Sequence, residues 1–342
     1  MFMKKWILGF LALTACVCGQ HKSPEEIQEE LNSAETQFEH AKEMFNPWYA
    51  GPLLTGSATM MPYGQANIQP YVFGQDIYAA YNSERHSVSA KHNFWNLQGL
   101  FAAQTGINSW SDIMLYVTYN GNWTNRQQSC GFGDTTLLLG LKLLAQGLWV
   151  PAIKLYLNEQ FPSGRYENLC STKLGTDATG VGSYVTSATF AISKLFLWQY
   201  NHPLNLRLNL TYYVPTTVHV EGYNAYGGGR GTEGKVHPGL SFKASFGAEY
   251  SFTQRWVLAN DIVYTSAGRT KFIGTLGKNA DGSTATVGKG SSDQLSLAPA
   301  IEYNPTPNLG IIGGAWFTVY GRNSATFVTG ILTVTYTFSL IH

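Results

Sequence analysis

One stretch of the sequence, residues 240–252, alternates strictly between apolar and polar side chains. Leu, Phe, Ala or Tyr occupies every second position, and Ser, Lys, Gly and Glu lie between them. Successive side chains of a β-strand point to opposite faces, so this pattern predicts a strand with one apolar and one polar face. Residues 205–213 and 328–338 show the same pattern. These alternations run for about nine to thirteen residues, as a tilted strand that crosses a bilayer requires, whereas strands of soluble proteins average about five or six.

The composition fits a chain that exposes one apolar surface to lipid. Charged residues are 13% of the 342 residues and aromatic residues are 14%, whereas ordinary soluble domains have ~25% charged residues. The net charge of +1 gives no basic face for nucleic acid. After the first two dozen residues, no run approaches the ~20 apolar residues of a spanning helix. Two classes of fold remain that fit the sequence, a large soluble β-sandwich and a membrane β-barrel.

The lengths of the connections between candidate strands separate these two alternatives. Twelve candidate strands can be counted along the chain, and their ranges are given at the end of this paragraph. The connections after the even-numbered strands are short. Those after the odd-numbered strands are long and rich in Gly, Ser and Asn, except the last, around residues 322–324. Short periplasmic turns that alternate with long outer loops are typical of an outer-membrane barrel of a Gram-negative bacterium. The sequence therefore predicts an all-β, antiparallel transmembrane barrel of about twelve strands, near residues 68–79, 95–104, 111–120, 134–145, 150–161, 182–196, 203–214, 238–252, 254–266, 293–304, 308–321 and 326–338.

The first residues have the composition of an export signal. Lys4 and Lys5 precede a short apolar stretch, as in a secretory signal peptide, which we assign to residues 1–19. Residues 13–16 resemble a bacterial lipobox, in which case Cys16 carries the lipid, as in a lipoprotein. Ordinary cleavage after a small residue is the alternative. Both alternatives predict an exported protein.

Residues 20–67 are predicted to form an acidic periplasmic helix and a linker, before a barrel that comprises residues 68–342. Ser23 begins a capping-box sequence, Ser-Pro-Glu-Glu, and seven Glu residues follow before residue 45. Apolar residues recur there at alternating spacings of four and three, which places them on one face of a helix. The helix either lies against the barrel or forms a short coiled coil through residues 23–45 that makes the protein a homo-oligomer.

Polar strand faces are expected to line the lumen, because the apolar faces of a membrane barrel contact lipid. Two alternatives follow for the charged residues among them. They pair across the lumen and close it, or they line a polar, slightly basic passage that holds a solute. The predicted lumen residues are Lys142, Lys154, Asn205, Arg207, Asn209, Lys243, Glu249, Asp261 and Glu302.

Cys130 and Cys170 are the two cysteines outside the predicted signal peptide. An exported compartment permits disulfides, and the predicted topology places both residues in outer loops. We expect a disulfide between them that ties two loops into a partial lid. No His or Cys lies near them at zinc-ligand spacing, so no metal site is predicted.

No segment of the chain carries a catalytic motif. None of the eight histidines accompanies a nucleophile motif, and His86 and His92 are interpreted as solvated loop residues. Residues 229–235 imitate a phosphate-binding loop, but Val236 stands where a magnesium-binding Ser or Thr is required. Neither catalytic residues nor a cofactor is predicted, and the chain is not expected to be an enzyme.

Short glycine-based motifs between residues 130 and 338 match those of a known family. Residues 131–142 contain a glycine–aspartate strand opening, and Phe161-Pro162-Ser163-Gly164 is similar to a Leu-Pro-Thr-Gly step at the end of the next strand. A closing hairpin follows at residues 299–303, 321–323 and 336–338. These motifs resemble the MetA-pathway-of-phenol-degradation family, whose members are regarded as outer-membrane channels with an architecture like that of the long-chain fatty-acid (FadL-like) transporters. The acidic helix and the residues after Phe338 depart from that pattern.

The resemblance implies a porin-like channel for passive uptake of small, hydrophobic or aromatic solutes. The alternative is a non-conducting structural or adhesive barrel whose surface loops bind partners. The expected contacts of the protein are outer-membrane lipid, a small-molecule solute and the barrel assembly machinery, and no nucleic acid.

Overall fold

The computed structural model describes residues 23–43, 47–51, 53–196 and 202–341. The predicted signal peptide, the lipobox and Cys16 lie outside these residues. The chain divides into two compact units, residues 1–45 and 46–342.

The described residues of the first unit form one helix, α1, Pro24–Glu43. Ser23 and Glu26 form the capping box that the sequence predicts. The Glu26 N–H donates to Ser23 Oγ at 3.2 Å, and the Ser23 N–H donates to Glu26 Oε2 at 2.9 Å. These two bonds satisfy backbone donors that a helix leaves free in its first turn. No helix among the described residues is long and apolar enough to span a membrane.

The second unit consists of sixteen described strands, of which thirteen form one antiparallel sheet. The strands are β1 Gln65–Tyr81, β2 Ser87–Gly106, β3 Ser111–Thr124, β4 Gln127–Phe132, β5 Thr135–Leu144, β6 Ala152–Phe161, β7 Val185–Phe196, β8 Leu204–Pro215, β9 Val218–Glu221, β10 Glu233–His237, β11 Ser241–Ser251, β12 Trp256–Ala267, β13 Lys271–Thr275, β14 Ser292–Thr306, β15 Leu309–Arg322 and β16 Ala325–Ser339.

The sheet closes because β2 pairs with β1 on one side and with β3 on the other. Both β4 and β5 pair with β3, one after the other, so together they occupy a single position in the barrel. The result is the closed antiparallel barrel of twelve strands that the sequence predicts.

A break at Gly133 separates β4 from β5. Its N–H donates to the Thr118 carbonyl at 2.9 Å. A Cβ at this position would lie 2.3 Å from Thr118 Oγ1, so only glycine fits against the neighbouring strand. The predicted strand at 134–145 corresponds to β5, and β4 before the break was not predicted.

Side chains of the barrel strands alternate between an exposed outer face and a buried inner face. On β11, Phe246 is exposed and Ser245 is buried, and on β16, Leu332 is exposed and Thr333 is buried. In a soluble protein the apolar side chains would face inward. Here they face outward, because the outer surface of a membrane barrel contacts lipid.

The two ends of the barrel differ in their connections. We call the end with the turns at 107–110, 252–255 and 307–308 the short-turn end, which faces the periplasm in barrels of this kind. The opposite, long-loop end carries residues 162–184, 216–240 and 268–291. There β9, β10 and β13 pair in a separate three-stranded sheet around Val218, Val220 and Val236, which was not predicted.

Two connections expected to be long are tight turns, at 82–86 and 125–126. The strands that flank them extend beyond the predicted bounds, and β2 reaches 20 residues. Trp95 and Trp123 stack across the extended β2–β3 pair with ring centroids 6.3 Å apart. Residues whose composition is typical of loops therefore continue the hydrogen-bonded pairing of the strands.

The predicted disulfide between Cys130 and Cys170 is wrong, because both cysteines are free and exposed. On β4, the inner-face neighbours of Cys130 face the loop that carries Cys170: Ser129 Oγ lies 3.5 Å from Thr176 Oγ1. Alternation along the strand then directs Cys130 to the outer face. The two thiols stay unpaired although the segments that carry them pack together.

Candidate functional site in the barrel lumen

An internal segment crosses the lumen before the first barrel strand begins. We call residues 47–62 the strap, of which the structure describes 47–51 and 53–62. At its start the Trp48 N–H donates to the Gln254 carbonyl in the turn at 252–255, at 3.2 Å. At its end Tyr63 forms a bridge with Gly106. Both ends of the strap therefore lie at the short-turn end. The sequence assigned these residues to a periplasmic linker, and the structure places them inside the barrel.

Three carboxylates on the inner wall accept hydrogen bonds from backbone N–H groups of the strap. The Ala50 N–H donates to Glu302 on β14. The Leu54 N–H donates to Asp261 on β12 at 3.0 Å, and the Met61 N–H donates to Asp112 on β3 at 3.0 Å. The strap has no strand partner at these points, so the carboxylates satisfy backbone groups that would otherwise be buried without partners.

Donors from other strands bind the strap carbonyls. The Tyr156 hydroxyl donates to the Ser57 carbonyl at 2.7 Å. Asn209 Nδ2 donates to the Gly56 carbonyl at 3.2 Å, and Lys154 Nζ lies 3.4 Å from the Thr59 carbonyl. Because β3, β6, β8, β12 and β14 all contribute, the strap is held around much of the circumference of the barrel.

Apolar side chains of the strap fill two further sites on the wall. Leu53 packs in a buried cluster with Ala259, Ala298, Ala300, Ile312 and Ile331, and Ala58 packs with Ala152, Tyr156 and Ala191. Five of these eight wall residues are alanines, which leaves room for a chain segment inside the barrel.

Two ion pairs lie on the inner wall beside the strap. Lys154 Nζ is 2.6 Å from Asp112 Oδ2, and Arg207 Nη2 is 2.7 Å from Glu249 Oε2, with all four side chains buried. Asn205 Nδ2 also donates to Glu249 at 2.7 Å. Such pairing is what charged groups require when they are removed from water.

The structure locates each of the nine predicted lumen residues. Lys142 lies on the inner face but at the short-turn end, where it is exposed and its Nζ donates to the Ser109 carbonyl. Lys243 is partly buried and faces the cavity described below. The other seven are buried on the inner face: Lys154, Asn205, Arg207, Asn209, Glu249, Asp261 and Glu302.

Sequence reasoning missed Asp112, Tyr156 and the strap. Asp112 shares its face of β3 with Met114 and Tyr116, which line the cavity, so alternation along the strand could have identified it. No local pattern marks the strap, because its contacts join residues far apart in sequence, such as Ala50 and Glu302.

A cavity of about 600 Å³ lies between the strap and the wall. Toward the long-loop end its lining includes Gln160 and Tyr213, and at the short-turn end it includes Asn308 and Thr337. The cavity therefore extends alongside the strap through much of the height of the barrel. Its wall combines aromatic side chains with amides and hydroxyls, and among the described residues its charged members are Arg207 and Lys243.

The architecture is similar to that of the COG4313 outer membrane channel from Pseudomonas putida F1. The TM-score is 0.64 and the sequence identity 14%, with 83% of this chain and 98% of that chain covered. This chain has the fold of an outer-membrane β-barrel. A closed barrel with an apolar outer face and buried polar lumen locates it in the outer membrane of a Gram-negative bacterium.

Two further solved barrels have lower similarity. The translocator domain of the autotransporter NalP from Neisseria meningitidis has a TM-score of 0.44 at 10% identity, with 91% of this chain and 98% of that chain covered. A deltaS2 mutant of the TodX monoaromatic hydrocarbon channel has a TM-score of 0.40 at 11% identity, with 82% and 91% covered. No protein-family model and no curated protein sequence matches this chain. Membership of the MetA-pathway family therefore stays a prediction.

Proposed function

We propose that this protein is an outer-membrane channel through which a small solute passes between the strap and the barrel wall. The observation that carries the proposal is the cavity of about 600 Å³, which extends alongside the strap. This volume lies within the ~300–1,000 Å³ typical of small-molecule sites. The strap narrows the lumen on one side, and the cavity leaves a route on the other.

The wall of the cavity favours a solute with an apolar or aromatic body. Tyr71, Phe73, Tyr116 and Tyr156 present rings to it, and Leu138 adds an aliphatic side chain. Rings of this kind stack on or pack against flat apolar solutes. The amides between them supply the few polar contacts that orient a ligand. These features agree with the solute class that the resemblance to the MetA-pathway family implies.

A substitution that fills the cavity tests the proposal. Thr211 lines the cavity from β8, and its neighbour Leu210 is exposed on the outer face. In proteoliposomes that contain the full chain, we expect Thr211→Trp to reduce uptake of phenol about tenfold, because an indole occupies the route. Leu210→Trp places the same ring in lipid and should leave uptake unchanged. Equal uptake by wild type and both variants, or none by wild type, would contradict the channel.

A non-conducting barrel is the second candidate function, and the strap is the observation that favours it. Backbone groups of the strap are bonded to buried residues on five strands, which is more attachment than a loosely held plug requires. In that case the ordered loop sheet β9–β10–β13 would be the functional surface. Wild-type liposomes that take up neither phenol nor ions would favour this candidate.

A further inference from the structure

Most charged residues of the buried lumen make direct hydrogen bonds or ion pairs, and Lys243 does not. Lys154 pairs with Asp112 and Arg207 with Glu249. Asp261 and Glu302 accept hydrogen bonds from the strap. Lys243 lines the same cavity but makes no hydrogen bond or ion pair with any described residue.

Lys243 lies on the long-loop side of the strap attachment at Asp261. In the β11–β12 ladder it is opposite Thr265, whereas Asp261, which holds the strap, is opposite Gly247. Asp261 therefore lies four residue pairs from Lys243 along the wall, toward the short-turn end. A solute that enters from the long-loop end therefore meets Lys243 before it reaches the level of Asp261.

Polar groups suited to an anion surround Lys243. On β8 it is opposite Thr211, whose hydroxyl lies 2.9 Å from that of Thr189. Ser245 and Tyr213 line the same part of the cavity. No Asp or Glu among the described residues lines the cavity. Asp261 attracts Lys243 electrostatically but forms no ion pair with it. An ammonium group that is partly buried without a direct ion pair is unfavourable, and a bound anion would remove that cost.

The loops above the cavity add a positive charge on the same side. Residues 216–240 and 268–291 together contain six Lys or Arg residues and three Asp or Glu residues. A surplus of one sign around an entrance raises the local concentration of solutes of the opposite sign. The long-loop end therefore favours the entry of anions.

We propose that the solute is a small organic carboxylate with an aromatic or other apolar body, and that Lys243 binds its carboxylate. This inference rests on the proposed channel and makes its solute class more specific. The rings of Tyr71, Tyr116 and Tyr156 contact the apolar body, and Lys243 with the Thr211 hydroxyl holds the charged end.

Benzoate and benzyl alcohol test the proposal as a charged and a neutral solute of similar shape. With the purified full chain in liposomes, Lys243→Met should reduce benzoate uptake about tenfold or more, as expected when a charge-assisted contact is lost. Uptake of benzyl alcohol should stay within about twofold of wild type. Lys243→Arg should retain benzoate uptake, and Lys142→Met, at the short-turn end, should leave both solutes unaffected. The heat-modifiable mobility of each variant on a gel verifies that the barrel is folded.

Calorimetry of benzoate binding to the detergent-solubilised protein separates the site from the channel. If wild type binds benzoate and Lys243→Met does not, but neither protein takes it up, the site stands and the channel is wrong. If both proteins bind and transport benzoate equally, Lys243 does not recognise the solute, and the inference fails while the channel stands. Absence of benzoate binding by wild type would also overturn the inference.

Discussion

At the scale of single residues, the lumen shows how buried charges are tolerated in a membrane barrel. Lys154 and Asp112 are both almost inaccessible to solvent, yet their charged atoms lie 2.6 Å apart. Gln104 Nε2 also donates to Asp112 at 2.8 Å, and the Met61 N–H donates to the same carboxylate. Asp112 therefore neutralises a lysine and holds the strap at once.

Asp112→Asn tests this double role, because asparagine keeps an acceptor for the Met61 N–H but removes the charge. We expect the free energy of unfolding to fall by about 3 kcal/mol, since Lys154 is left buried without a counter-ion. Denaturant unfolding followed by tryptophan fluorescence measures it. Combining Asp112→Asn with Lys154→Met should recover most of the loss. A change below about 0.5 kcal/mol in the single variant would show that the pair is not important for stability.

Cys170 is a second residue whose chemistry depends on its surroundings. Its thiol lies 3.1 Å from Thr172 Oγ1, and hydrogen bonds from the side chain and backbone of Thr172 lower the pKa of the Cys170 thiol. A lower pKa raises the thiolate fraction at neutral pH, and the thiolate is the reactive form.

Alkylation of the unreduced protein at pH 7 should therefore label both cysteines, with Cys170 reacting first. Thr172→Val removes the hydroxyl, so the pKa of Cys170 should rise and its alkylation should slow by about twofold to fivefold. Mass spectrometry of peptides at timed intervals gives both rates, and Cys130 is the internal control. A protein that takes up no label without reductant would restore the predicted disulfide.

At the scale of elements, alternation is informative because it is local. The alternation of residues such as Ser245 and Phe246 predicts which face of β11 contacts lipid. The same alternation predicts the twelve barrel strands. It could not reveal β4, because Gly133 interrupts the strand at a contact with Thr118 on its neighbour. The small sheet of β9, β10 and β13 likewise depends on pairing between distant loops.

The strap was beyond prediction for a related reason. It lacks any periodicity, and its structure comes from bonds to side chains such as Asp261 and Glu302, more than two hundred residues away in sequence. The predicted lumen residues included both carboxylates, but alternation gives only the direction in which they point. It does not say whether water, a cation or a segment of the same chain meets them.

At the scale of the whole molecule, the strap fills part of the lumen, and the cavity between the strap and the wall leaves another part open. At the short-turn end the cavity is lined from β15, β16 and the turn before β15, by residues such as Gly310 and Thr337. The attachment at Gly56 is on β8 instead, where Asn209 binds the strap. The route that we propose therefore does not require the strap to leave the β8 wall.

Fixing the strap to β8 tests that statement. A Cβ at Gly56 would lie 3.4 Å from Asn209 Nδ2, close enough for Gly56→Cys and Asn209→Cys to form a disulfide after small adjustments. We expect the oxidised double variant to take up phenol at a rate within about twofold of its reduced form, because the cavity beside the strap stays open. The double variant would be made with Cys130→Ser and Cys170→Ser so that only the new pair can oxidise, and the reduced protein in the same liposomes is the matched control. Uptake that stops on oxidation and returns on reduction would mean that the strap must move away from β8, and the channel would then be gated rather than permanently open.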